Sequence, residues 1–207
     1  MQNIEGGSGI FIQVGAGAGD LDVRANCRDG FTEFIKNLPR DRIQKIILVE
    51  PNPFNIPLLR ECWKDYANAI IYECGIVPKS IANEYIEMYY CPDDAPHFQV
   101  ASIVKEHVQK HYGNDCKLEK IVIPTQNLET LCKGEEIELL ALDIEGIDAD
   151  VILDLDFDNI RVKYLSFEHI HLEDKKTDVI HHLESNHFEY RGVGVDHNGF
   201  DYLFCKK

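Results

Sequence analysis

Apolar residues in this chain gather into short runs, separated by stretches in which they recur every three or four positions. The runs are GIFIQV (9–14), KIILVE (45–50), AIIYECG (69–75), EYIEMYY (84–90), EKIVIP (119–124), IELLALDI (137–144), VKYLSFEH (162–169) and a terminal pair, FEYRGVGV and FDYLFCK. Runs of this length, rich in Ile, Val, Tyr and Phe, read as strands. Helical spacing marks FTEFIKNL, PFNIPLLRECWKDY, ASIVKEHVQKHY, DADVILDL and KTDVIHHLESN. Strands that alternate with helices predict an α/β fold whose mainly parallel sheet is covered on both faces. The turn signal DHNG joins the last two runs and predicts that the sheet ends in an antiparallel hairpin.

No repeat, low-complexity tract or linker interrupts the 207 residues, so 1–207 reads as a single domain. Residues 77–115, with CPDDAPHF and the aromatics Tyr85, Tyr89, Tyr90 and Phe98, fit the alternation least well. Such an insertion either borders a ligand crevice or forms an extra edge hairpin and surface helix without a binding role.

Composition narrows the function classes. Hydrophobic residues make up 44%, a globular proportion, and no window approaches the ~20 apolar residues of a membrane span. A formal net charge of −15 repels phosphate backbones and anionic membranes, so neither nucleic acid nor membrane is an expected partner. No sequence feature sets an oligomeric state. The seven cysteines are scattered, without a CxxC pair or metal-ligand spacing, and MQNIEGGSGIFIQV does not read as a secretory signal. The expectation is reduced thiols and a cytoplasmic protein.

The chemistry lies at strand ends. Gly15, Gly17 and Gly19 follow the first strand in FIQVGAGAGDLD, where residues without Cβ let backbone N–H groups approach a ligand. A dinucleotide fingerprint would need glycine at position 20, which is Asp20. The second strand ends at Glu50, a carboxylate that can accept from two vicinal ribose hydroxyls. The sixth run ends in Asp143 and Glu145, and an unpaired carboxylate is not buried at the end of an apolar strand without a partner or a ligand.

FIQVGAGAG, LVEPNP, IPTQNLETL, LALDIEGIDADVI and YLSFEH occur in the order and approximate spacing of the FkbM-type methyltransferases, which the chain resembles over roughly residues 10–190. The EPNP and DIEG segments are the most specific parts. The resemblance implies a class I, Rossmann-like fold with a seven-stranded sheet, S-adenosylmethionine as cofactor, and transfer of methyl to hydroxyls of sugars and natural products. It implies that Gly15, Ala16, Gly17 and Gly19 pass under the methionine moiety, with Gln13 and Asp20 flanking the loop. It puts Glu50 on the ribose, Pro51 and Asn52 on the adenine side, Cys74 and Gly75 near the adenine, and Asp143 beside the transferable methyl. The chain departs from the family at Gln13, usually Asp, at Cys74–Gly75, where an acid is usual, and at Asp148, which stands in for a Glu.

Methyl transfer to a hydroxyl calls for alignment and for a base that takes the proton. The candidates are Asp143 and Glu145, then His169 and Glu168. Two residues apart in an extended segment, Asp143 and Glu145 would face the same way; Glu145 could instead cap the following helix. Tyr85, Tyr89 and Tyr90 could stack on sugar faces or fill a hairpin core. Asp143, Glu145, Glu168 and His169 could ligate a divalent ion, but no spacing demands one. The rival readings are an NAD-dependent oxidoreductase on a similar fold and a non-catalytic cofactor-binding module.

Overall fold

The computed structural model of the protein describes residues 4, 8–19, 29–95, 100–113, 115–195 and 199–207. Asp20, Phe98 and the first three positions of DHNG lie outside the described residues. In chain order the elements are β1 (Gly9–Val14), α1 (Gly30–Lys36), β2 (Ile43–Val49), α2 (Ile56–Cys62), β3 (Ala69–Tyr72), β4 (Gly75–Ile76), β5 (Tyr85–Tyr90), α3 (Lys105–Tyr112), β6 (Glu119–Gln126), α4 (Leu128–Cys132), β7 (Glu136–Leu142), α5 (Asp148–Asp154), β8 (Arg161–Glu168), α6 (Lys176–Ser185), β9 (Phe188–Val193) and β10 (Asp201–Lys206).

Seven strands form one sheet in the order β3-β2-β1-β7-β8-β10-β9. The first five run parallel, and β10 lies antiparallel between β8 and β9. The expected mainly parallel sheet with a terminal hairpin is the observed one. Its central strands are apolar on both sides because helices cover both faces. Ile10, Ile12 and Val14 pack with Val151, Ile152, Val179 and Leu183 from α5 and α6. Phe11 faces the other way, onto Phe31 and Phe34 from α1, Leu59 from α2 and Trp63 just after α2. The strand order reverses beside β1, where β2 lies on one side and β7 on the other, and open parallel sheets bind ligands at such a point.

The run AIIYECG is not one strand. It breaks after Tyr72, and Gly75–Ile76 leaves the main sheet to pair with β6. A second sheet results, in the order β4-β6-β5. The ambiguous segment 77–115 contributes β5 to this sheet and carries α3, so it is both an extra hairpin strand with a helix and, as described below, a wall of the main cavity. The five-residue helix α4 has no counterpart in the apolar spacing; Asn127 starts it by accepting from the Glu129 N–H.

The expectation of uniformly reduced thiols is overturned. Cys91 and Cys116 form a disulfide across a sequence separation of 25, tying the end of β5 to the chain after α3. Four other cysteines, Cys62, Cys74, Cys132 and Cys205, are free. The inference of a reducing, cytoplasmic setting rested on unpaired thiols and loses that support. Closing a loop of this length stabilises a fold by ~3 kcal/mol through the unfolded chain. Cys91→Ser is therefore expected to lower unfolding free energy by about that much; a urea midpoint that does not move would contradict it. Among the described residues no helix is long and apolar enough to cross a membrane.

Candidate active site

The carboxyl ends of β1, β2 and β7 meet at one edge of the sheet. Gly15 N and Ala16 N both donate to Val49 O, at 2.9 and 3.1 Å, and Asp143 N donates to Val14 O at 3.0 Å. Above this junction lies a cavity of about 490 Å³, within the size range of small-molecule sites. Gln13 and residues 15–19, Glu50, Asp143 and Glu145 all line it. The glycine turn, the second-strand acid and the DIEG acids thus open onto one shared space.

Glu50 is almost fully buried, with 4% of its surface exposed. Its Oε2 accepts from Gly17 N at 2.7 Å and its Oε1 from Asn52 N at 2.8 Å. Burial pushes its carboxyl up to about 7, against the lowering effect of these hydrogen bonds. Oε1 also accepts a long 3.4 Å bond from Asn55 Nδ2, while Oε2 keeps lone-pair capacity for a further donor. Gln13 places its Nε2 2.8 Å from Asp29 Oδ1, and Asp29 Oδ2 accepts from Thr32 N to start α1. Asp29 also lines the cavity. The carboxylate missing at position 13 is supplied from position 29, which no motif in the sequence signals.

Asp143 has an exposed side chain by surface area, because that surface is the cavity's own. Protein nonetheless encloses it. This burial, and then the carboxylates of Glu145, Glu168, Asp148 and Asp201, raise its carboxyl well above the usual range. The segment behind it is not extended. Glu145 and Gly146 take φ of +45° and +94°, so 143–146 is a turn. Glu145 does not cap α5, whose N-cap is Ile147 without a side-chain bond. Its Oε2 lies 2.8 Å from His107 Nε2 on α3, and its carbonyl accepts from Ser102 Oγ at 2.6 Å.

Asp148, 2% exposed, accepts from Ile144 N and holds this turn. Burial raises its carboxyl to about 7 from 3.8. A carboxyl that binds its proton more tightly when folded adds stability below about pH 4, and that stability is lost as pH rises through about 7. One carbonyl oxygen suffices for Ile144 N, so Asp148→Asn is expected to be near neutral at pH 5. At pH 8.5 it should stabilise by on the order of 2 kcal/mol. Equal effects at the two pH values, read from urea unfolding, would contradict this.

The remaining candidates divide. Pro51, Cys74, Gly75 and Glu168 line the cavity. Burial holds the Cys74 thiol up at about 11, so it is no nucleophile. Asn52 is not among the lining residues; it supports Glu50 and closes a local turn by accepting from Phe54 N at 3.1 Å. His169 is also off the cavity, its ring stacked on Tyr202 at 3.9 Å. Tyr85, Tyr89 and Tyr90 do not line the cavity either, whereas Phe200 does and is 44% exposed. The quartet Asp143, Glu145, Glu168 and His169 is not gathered around one point. Glu145 instead meets His107 and His171, two histidines that local spacing does not connect with it.

The Methyltransferase FkbM domain family matches residues 13–193. No curated protein matches. Among solved structures, a methyltransferase FkbM from Methylobacillus flagellatus KT is similar over 96% of this chain at 12% identity and a TM-score of 0.50. This chain spans 43% of that protein's length. A precorrin-6y C5,15-methyltransferase from Geobacter metallireducens GS-15 aligns over all of this chain and 84% of its own, with 13% identity and a TM-score of 0.49. Fibrillarin from Aeropyrum pernix, solved with natively bound S-adenosyl-L-methionine, aligns over 98% and 67% of the two chains, with 12% identity and a TM-score of 0.46. A match across 181 of the 207 residues, on a mainly parallel seven-stranded sheet with a terminal hairpin, places the chain by descent as well as by shape: it belongs to the FkbM methyltransferase family.

Proposed function

We propose that the chain transfers a methyl group from S-adenosylmethionine to a hydroxyl of a sugar or glycan. The observation that carries this reading is the convergence of the glycine turn, Glu50 and Asp143 on one cavity. The donor set suits the cofactor. Glu50 can accept from the two ribose hydroxyls while still holding the Gly17 N–H. Asp29 can accept from the ammonium of the methionine end, and the backbone N–H groups of the turn suit its carboxylate. Cys74, Gly75 and Pro51 offer the close, uncharged wall that an adenine ring needs.

The bound cofactor supplies an activated methyl on a sulfonium. The protein's work is to align an acceptor oxygen behind that methyl and to remove the hydroxyl proton. Asp143 is the base of this scheme: its carboxylate faces the cavity and its environment strengthens it as a proton acceptor. The cofactor would supply the methyl carbon and retain the sulfur electron pair, and Asp143 Oδ would take the proton that the acceptor hydroxyl gives up. Acidic groups around the cavity, with no Lys or Arg among the described lining residues, favour a polyhydroxyl acceptor over a phosphate-bearing one. Phe200, which lines the cavity, offers an aromatic face on which a sugar ring can stack.

Calorimetry with S-adenosylmethionine, its demethylated product and NAD tests the cofactor. The first two should bind and NAD should not; NAD binding alone would favour the oxidoreductase. Mass spectrometry of a glycoside panel after incubation with labelled cofactor tests the acceptor. Cofactor binding with no labelled glycoside would leave the non-catalytic module as the better reading.

A further inference from the structure

We propose that His107, Glu145 and His171 bind a divalent transition-metal ion, of the zinc or cobalt type, at the wall of the cavity. These residues come from three places: α3, the turn after β7 and the turn after β8. One donor atom from each lies within 4.8 Å of the other two. His107 Nε2 and Glu145 Oε2 are 2.8 Å apart, and the two imidazole rings are perpendicular with centroids 4.7 Å apart. Ligands at ~2.0–2.2 Å from a tetrahedral ion sit a little over 3 Å from one another, so the pair opens slightly and the third donor closes in. Two imidazoles and a carboxylate are the ligand types of an open three-protein-ligand site, which leaves a position for water or substrate.

The surroundings hold this trio in place. Ser102 Oγ donates to the Glu145 carbonyl and accepts from Val104 N just before α3, fixing the two elements against each other. A Cβ on Gly146 would come within 2.9 Å of His107 Nδ1, so the turn leaves room for that ring. Glu145 adopts a left-handed φ of +45°, a conformation a side-chain-bearing residue holds only when its surroundings enforce it. Glu168 Oε2 stands 3.7 Å from His171 Nε2, near enough to orient that imidazole or to join the ion. Six carboxylates, Asp29, Glu50, Asp143, Glu145, Glu168 and Asp201, line a cavity without a lining Lys or Arg among the described residues, and a cation offsets the repulsion among those nearest it.

The site requires only the fold, so its test does not depend on methyl transfer. The metal-free full chain is titrated with Co²⁺ and followed by its visible d–d bands, then with Zn²⁺ by calorimetry. The expected result is one ion per chain, with the band intensity of four- or five-coordinate Co²⁺. His171→Ala and Glu145→Gln should each weaken binding by about 100-fold or more, beyond the 10–100-fold effect typical of outer-shell partners. His181→Ala, on the exposed face of α6, should leave it unchanged. Near-ultraviolet circular dichroism checks that each variant is folded. Absence of Co²⁺ uptake by the intact chain, uptake that the His171 and Glu145 variants retain, or equal loss in the His181 variant would overturn the site.

Discussion

Asp143→Ala is expected to slow methyl transfer by about 10²–10⁴-fold, the usual range for loss of a positioned general base. Thermal stability should hardly fall, because the side chain faces the cavity and not the packed sheet. The backbone that the junction uses is untouched: Asp143 N still reaches Val14 O, and the Asp143 carbonyl still stands against Gly15. Removing one of five neighbouring carboxyls also relieves repulsion, which acts in favour of stability. S-adenosylmethionine affinity should change by less than about tenfold, since Glu50 and the glycine turn carry most of the contact in this scheme. Turnover measured under saturating cofactor separates these effects. An unchanged rate in the Ala variant would remove Asp143 from the chemistry.

Gly15→Ala and Gly17→Ala should differ sharply although they lie two residues apart in one turn. A Cβ on Gly15 would sit 1.8 Å from the Asp143 carbonyl oxygen, far inside contact distance. Neither side can yield, because Gly15 N is bonded to Val49 O and Asp143 N to Val14 O. The strain can be relieved only by parting the ends of β1 and β7. Gly15→Ala is therefore expected to destabilise the fold by on the order of 3–5 kcal/mol, including ~1–2 kcal/mol for its φ of +81°. A Cβ on Gly17 meets nothing within 4 Å, so that variant loses only about 1 kcal/mol for its left-handed φ of +53°. It should fold and yet bind S-adenosylmethionine at least about tenfold more weakly, because the new methyl projects into open space beside a turn that lines the cavity, where the cofactor is proposed to lie. Urea unfolding paired with calorimetry reads both quantities. A Gly15 variant as stable as the parent chain would contradict the packing argument.

The contrast between these glycines also marks what the sequence could and could not reveal. Strands β1, β2, β7 and β8 are legible because burial on both faces makes them continuous apolar runs. The glycine turn, Glu50 and the DIEG acids are legible because their place at strand ends follows from the same runs. The fate of Cys74 and Gly75 is not: an apolar run carries no mark of the point where its chain leaves one sheet for another. The turn at 143–146 is misread as extended because a non-glycine residue, Glu145, occupies a left-handed position. Contacts that join distant segments escape entirely. His107 meets Glu145 across 38 positions, Gln13 meets Asp29 across 16, and Cys91 pairs with Cys116 only because the second sheet and α3 fold back together. His169 lies off the cavity for the converse reason, since its neighbour Glu168 turns to the cavity while its own ring stacks on Tyr202.

A crystal structure of the chain with S-adenosylhomocysteine is the most direct examination of the shared cavity. The expected result is a ribose whose two hydroxyls donate to Glu50, a methionine tail lying along residues 15–19, and a sulfur directed toward Asp143. Product bound away from that turn, or seated there with its ribose turned from Glu50, would contradict the convergence on which the proposed reaction rests.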